Sequence, residues 1–260
     1  MKCQEIITVL QSQAPEHYAC DWDNVGLLVG DSEKEVHKIY IALDATDETI
    51  KEAKAVEADM LLTHHPMIFK GLKRVNTQDF IGKRVMRLIQ ADIAYYAMHT
   101  NFDVKGMADL AAERMEMKAC QVLEVTCEDA EGPQGIGKIG KLSQVVTVQE
   151  CAQLVKKAFH VEQVKVFGDL EQQISKVAIC PGSGKSVIGE ALKNGVEVLI
   201  TGDIDHHEGI DAAAQGMAII DAGHYGIEKI FIPYMKEFLE KNTKGLEIIE
   251  QPEKHPFVYV

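Results

Sequence analysis

Apolar residues in the chain follow two patterns that alternate along the sequence. Short, almost continuous apolar runs such as 39–43 are typical of strands that are covered on both faces of a sheet. Segments such as 80–90, with Ile81, Val85 and Leu88 on one face, are typical of amphipathic helices. The predicted strands are 27–29, 39–43, 61–63, 91–98, 143–146, 163–167, 176–180, 197–201 and 217–221. The predicted helices are 2–13, 47–57, 80–90, 108–117, 148–159, 186–194, 208–215 and one that begins at about 227.

Proline, glycine and capping residues set several boundaries of these elements. Pro15 ends the first helix, and the capping box Thr147-x-x-Glu150 opens the helix at 148–159. Pro233 falls inside the last predicted helix, so we expect a kink or a break there. Residues 71–79 read as a polar loop, 128–135 as the clearest break in the chain, and 245–260 as a β-like tail.

Strands that alternate with helices predict an α/β protein, layered α/β/α around a mostly parallel or mixed sheet. The proposed organisation is a first α/β half at 1–128, an inserted β-α-β segment at 129–175, and a second α/β half at 176–260. We expect the two halves to pack as one domain, with the insertion as a lobe or an edge extension of the sheet.

The two halves contain what looks like a duplicated strand–helix–strand unit. Ile39 and Thr63 are 24 positions apart (39 to 63), and Val177 and Thr201 have the same spacing (177 to 201). Each copy is followed by an apolar segment that ends in a histidine, with a carboxylate four residues later. These pairs are His99 with Asp103 and His224 with Glu228. In α/β sheets ligands bind beyond the carboxyl ends of strands, so the duplication predicts one metal site shared by the two halves.

Composition narrows the class of protein without identifying it. The 260 residues carry a net charge of −13, which argues against a broad nucleic-acid surface. Six cysteines without a Cys-x-x-Cys motif read as reduced thiols. No signal peptide and no apolar run of membrane-spanning length is recognisable, so we expect a cytoplasmic protein that contacts no membrane.

His64-His65-Pro66 is the strongest local signal, because adjacent side chains at a strand end diverge and can serve two metal ions. Together with the two His/carboxylate pairs it gives three imidazoles and two carboxylates. Five such ligands suit two divalent ions better than one tetrahedral zinc ion. Zn, Fe, Mn, Co and Ni all fit this donor set. The predicted ligands are His64, His65, Asp103, His224 and Glu228, with His99 as a supporting residue or a weaker ligand.

Three further motifs carry less weight. Asp203 and His207 follow the strand at 197–201, and we interpret them either as proton carriers or substrate contacts, or as part of a helix N-terminus capped by Asp205. The turn at 180–186 resembles a P-loop but has Ile179 where the motif needs glycine. A tight structural turn is the better interpretation, although a helix N-terminus can hold phosphate. Residues 135–140 match a dinucleotide motif by letters only, because no strand precedes them.

The motifs at 22–26, 63–66, 99–103, 202–207 and 223–228 resemble those of the NIF-three-like family, whose members are often labelled GTP cyclohydrolase I type 2 homologues. The resemblance covers nearly the whole chain and is to the short form of the family. It implies a dinuclear metal centre held by the five ligands named above, and a toroidal homohexamer with its metal sites facing an interior cavity.

Two hypotheses for function follow from the sequence. The first is a metal-dependent hydrolase, in which a metal-activated water attacks a nucleotide or another phosphate-bearing metabolite. The second is a non-catalytic protein that binds or delivers metal, or that forms a ring-shaped scaffold. The chain offers no obvious nucleophile other than such a water, so the sequence leaves both open.

Overall fold

The structure is a computed structural model that describes residues 1–258 and residue 260. Its helices are α1 (Cys3–Gln13), α2 (Asp47–Ala55), α3 (Phe80–Gln90), α4 (Thr100–Phe102), α5 (Ala108–Arg114), α6 (Val148–Phe159), α7 (Ile188–Lys193), α8 (His206–Ala214), α9 (His224–Glu228) and α10 (Phe231–Asn242). Its strands are β1 (Gly26–Val29), β2 (Lys38–Ala42), β3 (Met60–Thr63), β4 (Ala94–Ala97), β5 (Lys118–Asp129), β6 (Gly132–Thr147), β7 (Lys165–Phe167), β8 (Gln173–Ser183), β9 (Val198–Gly202), β10 (Ala218–Asp221) and β11 (Glu247–Glu250). None of the helices among these residues is both long and apolar enough to cross a membrane.

The chain forms two compact units. Unit 1 comprises residues 1–102 and 231–254, and unit 2 comprises residues 103–230 and 255–260. The organisation predicted from the sequence, with segments at 1–128, 129–175 and 176–260, stays a prediction. Both of their internal boundaries lie within unit 2.

Unit 1 contains a five-stranded sheet in the order β1-β4-β3-β2-β11. The four strands from β4 to β11 are parallel, and β1 joins the edge antiparallel to β4. Strands β3 and β4 are buried along their whole length, as their continuous apolar sequences predict. One face of the sheet packs on α2 and α3 through Tyr40, Leu61 and Tyr95, which meet Ile50 and Leu88 in one apolar core.

Unit 2 contains a six-stranded mixed sheet in the order β5-β6-β8-β9-β10-β7. Strands β8, β9 and β10 are parallel, whereas β5, β6 and β7 pair antiparallel. The fold class predicted from the sequence is confirmed as mixed α/β, with two sheets. The predicted break at 128–135 is wrong, because these residues form the turn and the adjoining ends of the long β5–β6 hairpin.

The strand registers of the two units repeat. Ile39 on β2 faces Met60 on β3, and the equivalent Val177 on β8 faces Val198 on β9. The loop contacts repeat as well. Asp59 accepts the backbone N–H of Lys38, and Glu197 in the equivalent position accepts that of Lys176. The duplication inferred from spacing is therefore present as two copies of one parallel core.

Two expectations at the C-terminus can be compared with the structure, the kink or break at Pro233 and the β-like tail. The helix is broken between α9, which ends at Glu228, and α10, which begins at Phe231. Pro233 lies in the first turn of α10, where a missing N–H breaks no helical hydrogen bond, so the break precedes the proline. The tail strand β11 pairs in parallel with β2 of unit 1, an alignment that no local pattern indicates.

Candidate metal centre

Three histidines converge in unit 1 at the carboxyl ends of the parallel strands. His64 and His65 follow β3, and His99 follows β4. One ring nitrogen of each lies within 4.8 Å of those of the other two, close enough for a single ion to contact them. We call these residues the histidine trio. His64 is fully buried, and the side chains of His65 and His99 are mostly buried.

Each imidazole of the histidine trio is oriented through its Nδ1 atom. His64 Nδ1–H donates to the backbone carbonyl of Met98 at 2.7 Å. His65 Nδ1–H donates to Asp44 at 2.9 Å, and His99 Nδ1–H donates to Asp23 at 2.9 Å. A proton held on Nδ1 leaves the neutral Nε2 lone pair for a cation. This is the arrangement that supports metal-ligating histidines in proteins.

Asp23 is the most strongly held of these supporting residues. Its side chain is completely buried, and its carboxylate also accepts hydrogen bonds from the backbone N–H and the hydroxyl of Thr100. Burial by itself would raise the pKa of Asp23. The hydrogen bonds from His99 and Thr100 outweigh it and lower the pKa of Asp23 to about 2. The carboxylate therefore stays charged and keeps the His99 ring fixed.

A hydroxyl network supports the turn that carries His65. Tyr95 donates its O–H to the carbonyl of His65 at 3.0 Å and accepts the N–H of Met67 at 2.9 Å. The Thr63 hydroxyl donates to the same carbonyl at 2.8 Å. Burial raises the pKa of Tyr95 to about 12, which keeps its hydroxyl a donor at ordinary pH.

Unit 2 gathers a different set of side chains at the equivalent sheet end. His224, the first residue of α9, donates from Nδ1 to Asp203 at 2.8 Å, and its Nε2 lies 2.9 Å from a carboxylate oxygen of Glu228. We call these three residues the His224 set. Asp203 reaches His224 from a left-handed backbone conformation with φ of 55° directly after β9. Such strain persists where the surrounding structure holds it in place, often at functional sites.

Glu228 is buried although it carries a carboxylate, and Gly182 provides the space for it. A Cβ atom at Gly182 would lie 2.3 Å from Glu228 Oε1, and the backbone of Gly182 has φ of 73°. Residues 180–183 are the end of β8 and the turn follows them, so the segment that resembles a P-loop lies directly against a predicted ligand. Only glycine fits both the conformation and the close approach.

Asp103 begins a π-helical segment, Asp103–Met107. Such segments occur often at functional sites. Burial raises the pKa of the Cys180 thiol well above its usual range, and the negative charges of Asp103 and Glu228 raise it further. Cys180 is thus a buried thiol close to both carboxylates.

His207 forms no hydrogen bond or ion pair with these groups. It lies exposed in the first turn of α8, with its ring centroid 5.2 Å from that of His206. Asp205 is the N-cap residue of α8 by position, but its carboxylate is bound to Lys185 at 2.5 Å and accepts no helical N–H. A role for His207 in proton transfer stays a prediction.

Sequence reasoning missed three residues that orient the candidate ligands: Asp23, Asp44 and Gly182. Asp44 lies just after β2, at the sheet end where ligands and the residues that orient them are found. This position was the signal in the sequence that could have identified it. Asp23 lies 76 residues before its partner His99, so no local pattern connects them.

A model of the Duf34/NIF3 family (NGG1p interacting factor 3) matches residues 1–256. The chain belongs to this family. A Duf34/NIF3 relative from Clostridium perfringens, named GTP cyclohydrolase 1 type 2 homolog, is 37% identical over 264 residues and is aligned over 100% of both chains. A protein of the same name from Lactococcus lactis is 32% identical over 99% of both chains.

Solved structures share the Duf34/NIF3 fold. The Bacillus cereus protein related to NIF3 superposes with a TM-score of 0.89 at 26% identity, over 100% of this chain and 99% of that one. Reduced HcgD from Methanocaldococcus jannaschii superposes with a TM-score of 0.84 at 32% identity, over 96% and 97% of the two chains. The family expected from the sequence motifs is thus confirmed.

Proposed function

We propose that this Duf34/NIF3 protein is a metal-dependent hydrolase that acts on a nucleotide or another phosphate-bearing metabolite. In this proposal two divalent ions are bound by His64, His65, Asp103, His224 and Glu228, with His99 as a supporting residue or a weaker ligand. The homohexamer and the cytoplasmic location remain predictions from the sequence.

The observation that carries the proposal is the shared orientation of four imidazoles. His64, His65, His99 and His224 each direct Nδ1 at a carbonyl or a carboxylate, which fixes the tautomer that a cation requires. The donor set of imidazole and carboxylate groups fits Zn, Fe, Mn, Co or Ni.

Each residue has a definite role in the proposed chemistry. When bound, paired divalent ions supply Lewis acidity and activate water in hydrolytic sites. Asp44, Asp23 and Asp203 hold the imidazole rings in position, and Asp203 also holds the proton on His224 Nδ1. The buried Glu228 presents a carboxylate from which water is largely excluded, which strengthens its attraction for a cation.

The test begins with metal content. Protein loaded with each candidate metal is dialysed and measured by elemental analysis, and hydrolysis of GTP and of a panel of phosphoesters is then followed. GTP comes first because the relatives' name points to it. Two bound ions per chain and turnover are expected for the wild type, and loss of both for His65→Ala and Glu228→Ala. His37→Ala, at an exposed histidine that precedes β2, is the matched control.

The outcomes separate the two hypotheses for function. Equal turnover by the wild type and by both ligand variants would end the hydrolase proposal. Full metal occupancy without turnover of any substrate would instead favour the metal-delivery or scaffold alternative. Retention of both ions in both variants would contradict the proposed ligand set itself.

A further inference from the structure

Two large aromatic side chains lie exposed beside the histidine trio. Trp22 is 63% exposed and Phe69 is 48% exposed, although both residue types are usually buried. Each ring contacts His99 edge to face, with its centroid 5.9 Å from that of His99. Because Asp23 fixes the His99 ring, the two aromatic rings have a rigid neighbour next to a candidate cation site.

The loops that carry the two rings are joined to each other. Asn24 Nδ2 donates to the carbonyl of Ile68 at 2.6 Å, which ties the turn after Trp22 to the residue before Phe69. In the same turn Asp23 is anchored to Thr100 through two hydrogen bonds. The rings are therefore held on structured loops, and their exposure is built into the fold.

Positive charge lies on the same loop as Phe69. Lys70, Lys73 and Arg74 follow it within five residues, and all three are exposed. None of the three forms an ion pair with any other residue that the structure describes. In a chain with net charge −13, three unpaired cations beside an aromatic ring are suited to an anionic group on a ligand.

We propose that Trp22 and Phe69 form a stacking site for the planar heteroaromatic ring of a phosphate-bearing ligand of the nucleotide class, with the phosphate attracted by Lys70, Lys73 and Arg74. This inference rests on the proposed function and specifies its substrate class. Stacking on aromatic side chains accepts any base, because every base presents a π face. The site therefore selects for an aromatic ring and a phosphate more than for one particular base.

Fluorescence provides a direct test, because Trp22 is the only tryptophan in the chain. Metal-loaded protein is titrated with GTP, ATP and UTP, and with guanosine and ribose 5-phosphate as separate arms. We expect saturable quenching by the nucleotides, weaker binding of guanosine, and no quenching by ribose 5-phosphate. If no nucleotide changes the emission at millimolar concentration, or if ribose 5-phosphate changes it equally, the inference is overturned.

The contribution of each group is tested by substitution, with nucleotide affinity measured by equilibrium dialysis. Trp22→Leu and Phe69→Leu should each weaken nucleotide binding roughly tenfold, while Trp22→Phe retains most of it. Phe80→Leu is the matched control, because Phe80 is equally exposed but its ring lies against Arg84. Replacing Lys70, Lys73 and Arg74 together by glutamine should weaken GTP binding but not guanosine binding. Wild-type affinity in Trp22→Leu would contradict the stacking site.

Two further measurements keep this inference separate from the proposed function. Metal content should be unchanged in the variants of Trp22, Phe69, Lys70, Lys73 and Arg74. Loss of bound ions in His65→Ala, or absence of turnover, tests the hydrolase proposal and leaves the stacking site unaffected. Acrylamide should quench Trp22 readily in the native assembly. A shielded Trp22 would overturn the inference and indicate that a second copy of the chain covers this surface.

Discussion

The two units build different ligand sets on the same parallel core. Unit 1 supplies three mostly buried imidazoles. The His224 set of unit 2 supplies a single imidazole, which is more exposed than those of unit 1, and the buried carboxylate of Glu228. The strand registers agree from Ile39 to Ala42 and from Val177 to Ile179, and the β8–β9 register then shifts between Ile179 and Ser183. The duplicated core therefore fixes where ligands stand, and the residues just after each strand decide which ligands they are.

Single positions explain much of this difference. Asp44 follows β2 and holds His65, whereas Gly182 lies where the β8–β9 register shifts and leaves space for Glu228. Likewise Tyr95 pairs with Leu61 in unit 1, whereas Ile219 pairs with the equivalent Leu199 in unit 2. Unit 1 thus orients its ligands with polar side chains, and unit 2 orients Glu228 by close packing.

Gly182 should be the most sensitive position in this comparison. In Gly182→Ala the new Cβ would meet Glu228 Oε1 and the backbone would be strained by its positive φ, so we expect metal affinity to fall about 100-fold or more. Competition with a chelator measures the affinity. Gly216→Ala is the matched control, since Gly216 has φ of 87° but no atom within 4 Å of its Cβ position. Equal losses in both variants would show that strain alone, without the clash, is responsible.

Tyr95 should make the stability of unit 1 sensitive to alkaline pH. The pKa of Tyr95 is about 12 in the folded chain and about 10 in the unfolded chain. Between about pH 10 and pH 12 the folded chain therefore keeps the Tyr95 proton, whereas the unfolded chain has lost it. Its contribution is complete below about pH 10 and falls by about 2–3 kcal/mol as pH rises to about 12. Urea unfolding at several pH values measures this loss. Tyr95→Phe should flatten this part of the profile, and an unchanged slope would refute the assignment.

The sequence predicted the elements with strong local signals and missed those that depend on distant partners. The buried strands β3 and β9 and the capping box of α6 follow from their own residues. Strand β5 was not predicted, because it is an exposed edge strand without a continuous apolar run. The parallel pairing of β11 with β2 depends on contacts across most of the chain.

The same distinction applies to the candidate site. The three histidines of the trio were recognised because each follows an apolar strand, a local feature. The orientation of His99 by Asp23 could not be predicted, since that hydrogen bond depends on how the loop after α1 returns to β4. Local sequence therefore shows which residues are candidate ligands, whereas tertiary contacts determine which atom of each ligand faces the site.

Asp23 and Asp44 allow the importance of burial to be measured within unit 1. Asp23→Asn should weaken metal binding about tenfold, because the buried amide no longer holds the proton on His99 Nδ1 as a carboxylate does. Asp44→Asn should have a smaller effect, since Asp44 is half-exposed and water can replace it. Calorimetric titration with the metal compares the two variants. A larger loss of metal affinity in Asp44→Asn than in Asp23→Asn would mean that burial of the carboxylate does not determine how much a histidine depends on it.

The smallest effect should come from Asp203, the half-exposed carboxylate of the His224 set. Asparagine tolerates the left-handed conformation at this position, so Asp203→Asn removes the charge and leaves the backbone in place. We expect a loss of metal affinity of only about threefold, because solvent already screens this hydrogen bond to His224. Asp203→Ala, which is also strained at this φ, should be worse than Asp203→Asn in thermal unfolding. If Asp203→Asn instead abolishes metal binding, the proton on His224 Nδ1 matters more than the packing of Glu228, and the contrast between the two units would have to be withdrawn.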